Sequence, residues 1–392
     1  MAITDKEKGV WGLDQVYNKI NQGSIWSYSS TNGELWSWGY NEEGQLGLND
    51  IVSRSSPVQI GSAQSWENLG NRGRRNNGGG AIKDDGTLWM WGRNQYGGLG
   101  QNDITQRSSP VQVPGTTWDK FSAGVLKGAA IKTDGTLWVW GRNDTGDYAG
   151  QLGQNNKTNY SSPVQIPGTT WQHVSSGGGS MTAIKTDGTL WAWGGNVGSG
   201  QLGQNNLTKY SSPVQIPGTT WNHTWAGADN TFATKTDGTL WGIGRNDSGQ
   251  LAQNDTVQRS SPIQIPGTWA IGSNNQIGIG YFRVAATKTD GTLWAWGNNS
   301  QGQLGQNSTT TYSSPIQVGS DTTWSVIQGG GVGFGAIKTD GTLWTWGRNQ
   351  YGGLGQNDRT YRSSPVQIPG TWKIGEGALS LGSYCVQAIK LG

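Results

Sequence analysis

The feature of this 392-residue chain that most restricts its fold is a phrase that returns seven times. A small turn is followed by Leu-Trp, with the leucines at Leu35, Leu88, Leu137, Leu190, Leu240, Leu293 and Leu343, 49 to 53 positions apart. A fixed period of that length marks a repeat architecture, in which each unit buries its apolar faces only against its neighbours. The 66 glycines alone would suggest disorder, but the 23 tryptophans exclude it, because disordered chains lack aromatic residues.

Residues 181–216 show the unit. Met181–Lys185 reads as a strand, Thr186-Asp187-Gly188 as a turn and Thr189–Gly194 as the returning strand. Asp-Gly between two such runs predicts a tight primed hairpin turn with positive φ at both residues. A glycine-punctuated loop, Gly200–Asn205, precedes the strand Ser211–Ile216, whose proline suits a strand start or an edge. A lone tryptophan, Trp221, then opens the next unit and a further short strand. Four short antiparallel strands per unit, repeated around a ring, predict an all-β fold, a seven-bladed β-propeller of four-stranded blades.

The tryptophans follow the same period. Trp191 and Trp193 share one strand face, while Leu190 and Ala192 share the other. Both faces are apolar, as sheets sandwiched between neighbours require. Of all 23, only Trp11, Trp26 and Trp225 fall outside the pattern. The first unit lacks an opening tryptophan strand, and the missing piece lies at the other end, in Trp372 to Gly375 and Val386–Lys390. The last blade therefore joins both termini, which removes an open sheet edge. Ile25–Ser30 and Tyr384–Lys390 both fit beside Leu35–Gly39, so one strand is surplus. The expected division is an N-terminal docking segment, residues 1–24, and a propeller, residues 25–392.

Charged residues are 14% of the chain and its net charge is +3, so no strong field points to nucleic acid or an anionic membrane. Cys385 is the only cysteine, which rules out an intrachain disulfide and a cysteine-based metal site. No run of 18 apolar residues suggests a membrane span, and the charged start, Met1–Lys8, lacks the apolar core of a secretion signal. A soluble protein of a reducing compartment, or of something assembled there, is expected.

Chemistry is hard to find in the units. His173 and His223 occupy the same repeat position fifty residues apart, which assigns them to adjacent blades and not to one site. Gly97-Gly98-Leu99-Gly100 lacks the helix and lysine of a phosphate loop. Pairs such as Asn102-Asp103 lack the alternating ligands of a calcium loop. The stretches 151–171 and 201–221 differ at only two positions, whereas catalysis needs one asymmetric constellation. No enzyme activity and no cofactor are expected.

Recognition surface is easier to nominate. The residue before each Ser-Ser-Pro is Arg54, Arg107, Tyr160, Tyr210, Arg259, Tyr312 or Arg362. In a ring these form a circle of arginine and tyrosine, types enriched at interfaces. The alternative is that they cover their own blades. Arg72, Arg74 and Arg75 form a basic loop where other units carry small uncharged residues. In the N-terminal segment, Thr4 and Glu7 have capping-box spacing, and Val10, Leu13, Tyr17 and Ile20 share a helical face beside Trp11, against the helix-weakening Gly9 and Gly12.

The unit at 288–307, Lys-Thr-Asp-Gly-Thr-Leu-Trp-Ala-Trp-Gly-Asn-Asn-Ser-Gln-Gly-Gln-Leu-Gly-Gln-Asn, resembles the regulator of chromosome condensation repeat. That resemblance covers about residues 25 to 392 and implies a seven-bladed propeller. The founding member of the family is an exchange factor for a small GTPase and depends on loops projecting from one face. Here the even spacing leaves no room for a wedge-like insertion, and there is no basic tail, so the fold carries over and the exchange activity does not. Residues 9–26 resemble the opening of virion structural proteins of tailed phages, notably marine cyanophages. The resemblance implies a virion protein, assembled in the host cytoplasm, whose N-terminal segment docks on other virion proteins while the propeller faces outward. The alternatives are a propeller that binds a host surface glycan or protein, with an exposed Trp225 or tyrosines stacking on sugar, and a cellular regulatory scaffold.

Overall fold

The computed structural model describes residues 33–62, 65–72, 78–144, 146–196, 198–270, 276–331 and 333–391. Within them seven antiparallel sheets stand as blades around an axis. From the inner strand outward, blade 1 is Trp66–Asn68, Gly78–Lys83, Leu88–Gly92 and Arg107–Gln112. Blade 2 is Trp118–Gly124, Lys127–Lys132, Leu137–Gly141 and Tyr160–Ile166, and blade 3 is Trp171–Ser176, Ser180–Lys185, Leu190–Gly194 and Tyr210–Ile216. Blade 4 is Trp221–Ala226, Asn230–Lys235, Leu240–Gly244 and Arg259–Ile265, and blade 5 is Ile277–Ile279, Arg283–Thr287, Leu293–Gly297 and Tyr312–Gln317. Blade 6 is Trp324–Gly329, Gly333–Lys338, Leu343–Gly347 and Arg362–Ile368. The inner strands touch one another: the Ser176 amide donates to Ser122 Oγ at 2.9 Å and the Ala226 amide to Ser175 Oγ at 2.9 Å.

Blade 7 takes its inner half, Leu379–Leu381 and Cys385–Lys390, from the C-terminus and its outer half, Glu34–Gly39 and Arg54–Gln59, from the N-terminus. Cys385–Lys390 pairs with Glu34–Gly39 in continuous register, so the C-terminal candidate fills the place beside Leu35. Its rival, Ile25–Ser30, lies outside the described residues. Two expected tryptophan strands are shorter than the repeat predicts. Trp269 and Trp372 make only single bridges, to Lys288 and Lys390. In blade 7 the cause is visible, since Gly375 and Gly377 at positive φ turn the chain before Leu379. Blade 2 also gains a fifth, parallel strand, Asn71–Arg72, beside Ser122–Ala123.

The seven leucines of the Leu-Trp phrase are fully buried. They belong to seven apolar clusters, one per seam between blades, such as Leu137, Val139, Trp171, Val174 and Trp193 between blades 2 and 3. The Asp-Gly turns depart from the primed geometry. The Gly188 amide donates to the Lys185 carbonyl at 2.9 Å, and positive φ occurs at Gly188 and not at Asp187. This is a type I turn closed by a left-handed glycine. Asp187 prefers it because its carboxylate then accepts from the Thr189 amide (3.0 Å) and hydroxyl (2.6 Å), while that hydroxyl accepts from Trp191 Nε1 at 2.9 Å. The same relay recurs from Asp85, Asp134, Asp237, Asp290 and Asp340. The threonine hydroxyl, more than any other contact, holds each carboxyl below the usual carboxylate range.

At the opposite end of the blades, a buried asparagine anchors each long loop. Asn196 donates to the Asn206 and Thr208 carbonyls (3.0 Å each) and accepts from the Leu202 amide at 2.9 Å. Seven left-handed asparagines, Asn49, Asn102, Asn155, Asn205, Asn254, Asn307 and Asn357, each donate a backbone N–H to a serine carbonyl on the next blade's outer strand. The belt closes through Asn357 and Ser55. The adjacent glycines permit this approach: a Cβ on Gly200 would lie 2.7 Å from Ser260 Cα. Among the described residues no helix is long and apolar enough to cross a membrane.

Candidate interaction surface

Two faces result, one of Asp-Gly turns and one of asparagine-anchored loops. On the turn face each unit clamps a lysine between indoles. Lys185 Nζ lies 4.8 Å from the Trp171 ring centroid and 4.4 Å from that of Trp191, and matching lysines sit at Lys83, Lys132, Lys235, Lys288 and Lys338. Each such contact stabilises by roughly 0.5–1 kcal/mol at a partly exposed site. The turn face is thus occupied with its own packing.

The arginine–tyrosine ring lies at the outer rim, at the start of each outer strand, and every arginine in it is tied to its own loop. Arg54, Arg107, Arg259 and Arg362 pair with the aspartate four residues earlier at 2.6–2.7 Å. Where the ring residue is Tyr160 or Tyr210, the residue four earlier is an asparagine that donates to the phenol, at 2.8 and 3.2 Å. Tyr312 has Ser308 at that place. The Asp-to-Arg and Asn-to-Tyr correspondence was present in the sequence. Arg72 ends the strand beside blade 2. Its side chain, Arg74, Arg75 and the whole group Val10, Trp11, Leu13, Tyr17 and Ile20 lie outside the described residues.

Several expectations change. His173 and His223 do meet, with ring centroids 5.5 Å apart, because equal phase in adjacent blades makes them neighbours across a seam. Burial holds the His223 imidazole below its ordinary pKa; Lys120 acts in the same direction, and Glu376 opposes it. Trp225 is buried and stacks on His223, so it offers no exposed platform for a sugar. Among the described residues no three His, Cys, Asp or Glu side chains form a group able to hold a metal. The even spacing also conceals a small insertion. Gly146–Tyr148 forms a 3-10 turn, and the Tyr148 hydroxyl reaches Asp229 two blades away at 3.2 Å.

The loop face carries the surface that sequence reading missed. The residue after each Trp-Gly, or its Ile-Gly equivalent in blade 4, stands where the third strand of its blade ends on the loop face: Arg93, Arg142, Gly195, Arg245, Asn298, Arg348 and, in blade 7, Tyr40. Arg142 stacks on Tyr96 at 4.4 Å and Arg245 on Phe282 at 4.3 Å. Phe282 holds φ at +61°, a costly conformation for a bulky residue that places its ring under the guanidinium. At the closing seam three half-buried tyrosines meet. Tyr351 lies 4.8 Å from Tyr40 and 4.9 Å from Tyr384, centroid to centroid. The Tyr40 hydroxyl donates to Glu42 at 2.7 Å, and this bond first, then burial, pushes its pKa up to about 12. Buried basic side chains lie below: Arg283 donates to the Gly330 carbonyl at 2.7 Å, and Lys127 Nζ to Gln151 Oε1 at 2.6 Å.

Comparison with known proteins places this geometry. The model of the regulator of chromosome condensation (RCC1) repeat matches residues 32–68, 85–125, 134–184, 237–280, 290–331 and 340–374, and a second model of that repeat matches 275–303. The ultraviolet-B receptor UVR8 of Arabidopsis thaliana is 31% identical over 171 residues, 42% of this chain and 38% of that protein. The mitochondrial RCC1 domain-containing protein RUG3 of the same plant is 26% identical over 181 residues, 41% of this chain and 38% of that protein. Each match therefore spans well under half of the relative. Among solved structures, Prp20p from Saccharomyces cerevisiae, studied for its binding to Gsp1p and histones, superposes with a TM-score of 0.77 at 16% identity over 93% of this chain and 92% of that one. Human WBSCR16 superposes with a TM-score of 0.76 at 19% identity over 91% and 98%. At such identities the likeness is one of fold.

Proposed function

Because the chain belongs to the regulator of chromosome condensation repeat family, we propose that it is a non-enzymatic interaction protein, a structural component of a phage particle that holds out its loop face to a protein partner. The observation that carries the interaction role is the asymmetry of that face. Seven similar units share most of their packing devices, yet the arginines, tyrosines and Phe282 of the loop face differ from blade to blade. Arginine and tyrosine dominate binding energy at interfaces because they combine large contact area with directed polar groups. Prp20p supports the reading by analogy, since that protein has been crystallised with Kap60 bound to it.

The particle role rests on the resemblance of residues 9–26 to phage virion proteins. In this reading residues 1–24 dock the propeller on other virion proteins. The test compares the full chain with one beginning at Ser24 for co-sedimentation with reconstituted particles. The shorter chain is expected to fold, remain soluble and stay unattached. If it attaches normally, the docking role of the segment is wrong; if the full chain itself never sediments with particles, the virion role is wrong.

A further inference from the structure

The four arginines equivalent by repeat position on the loop face are not equivalent in their partners. Arg93 pairs with Glu43 at 3.3 Å, and its Nε donates to Gln95 at 2.8 Å. Arg142 Nε lies 3.3 Å from Asp144, and Arg245 Nε lies 2.6 Å from Asp247 with Asp229 at 3.2 Å. Arg348 has no carboxylate partner among the described residues. Among the described residues, the one hydrogen bond of its side chain joins Nη2 to Gln350 Oε1. Its Nε is buried with no acceptor, which leaves a desolvated donor of a charged group uncompensated. The same guanidinium stands 5.6 Å from the ring of Tyr384, in the cluster with Tyr40 and Tyr351.

We propose that Arg348 and the Tyr40–Tyr351–Tyr384 cluster form the partner-binding hot spot, and that the partner supplies an Asp or Glu side chain flanked by an apolar or proline residue. The carboxylate does for Arg348 what Glu43 does for Arg93, the other arginine of the set whose residue two positions on is a glutamine. A planar guanidinium with unused N–H groups matches carboxylate geometry. The three rings provide rigid apolar area at low conformational cost beside it. The site joins blade 6 to both terminal halves of blade 7, so it exists only in the closed ring. This proposal rests on the interaction reading above and names where and with what chemistry the loop face binds.

The test is a random peptide library selected on the full-length protein, followed by synthesis of the best binder in Glu and Gln (or Asp and Asn) versions. The expected peptide carries an acidic residue next to an apolar one. Arg348→Gln and Tyr351→Ala should each weaken it at least tenfold, as should the amide version of the peptide, while Arg359→Gln, the same change of charge at an exposed position outside the loop-face cluster, leaves binding unchanged. Arg348→Lys should retain part of the affinity, and thermal melts of all variants should overlay that of the parent. Enriched peptides without an acidic residue, indifference to Arg348→Gln, or no enrichment at all would overturn the assignment. Peptides that respond to Arg245→Gln instead would overturn this site while leaving the loop face as an interaction surface.

Discussion

Lys127 gives the sharpest prediction. It is 1% exposed, in the seam between blades 2 and 3, and among the described residues only the Gln151 side chain at 2.6 Å and the Gly178 carbonyl at 3.4 Å accept from its Nζ. Burial lowers its pKa to about 7. A lysine in the unfolded chain titrates near 10.4. Between these values the unfolded state binds a proton that the folded state does not, so stability should rise as pH rises from 7 to 10 and level off above. Each pH unit contributes at most about 1.4 kcal/mol, so the whole window is worth roughly 4 kcal/mol. Lys127→Met removes the titration and loses one or two hydrogen bonds worth about 1 kcal/mol each. The variant should therefore be equal to or slightly less stable than the parent at pH 10 and more stable by up to about 3 kcal/mol at pH 7. Urea unfolding of both proteins across that range measures the difference, in which other titrating groups cancel. If the difference does not change with pH, Lys127 is charged in the fold and the reasoning fails.

The turns make a second test. A Cβ at Gly188, where φ is +75°, would fall within contact of the Thr219 carbonyl oxygen, so Gly188→Ala should cost roughly 1–2 kcal/mol or more. Asp187→Ala should cost about 1 kcal/mol through its lost hydrogen bonds and should leave any peptide binding intact. Six turn carboxyls sit below their ordinary range, so their contribution is present above about pH 4 and lost as pH falls through their lowered values. An acid melt that begins well above pH 5 would need another cause. Removal of residues 372–392 strips the strand paired with Glu34–Gly39 and should give an aggregating or loosely folded product; a monomeric product that melts like the parent is the contrary result.

How far the sequence could be read depended on where information repeats. Leu-Trp at a constant period is enough for blades, and the leftover pieces at Trp372 and Val386 are enough for a ring closed by both termini. The turn type was not available from Asp187-Gly188 alone, because Thr189, outside the dipeptide, holds the carboxylate that favours the type I form. His173 and His223 were rightly assigned to adjacent blades, but their contact went unread although the signal was there: a separation of one period brings equal positions together across a seam. The loop-face cluster gave no such signal. Tyr40, Tyr351 and Tyr384 occupy three different phases of the repeat, and only the geometry of the closing seam brings them within about 6 Å of one another. The absent carboxylate at Arg348 becomes visible only against the partners of its three counterparts.

The belt of asparagines that runs once around the rim sets a timetable for synthesis. Ser55 leaves the ribosome early, and its clasp, Asn357, follows some three hundred residues later. At roughly 5–20 residues per second the outer half of blade 7 waits about a quarter of a minute to a minute for its companion. Throughout that interval Glu34–Gly39, with Trp36 and Trp38, lacks the strand that will cover its inner edge. Each nascent molecule thus offers its neighbours on the same message a strand identical to the one it will later accept. The fidelity of ring closure is decided by whether a chain meets its own C-terminus before another chain's.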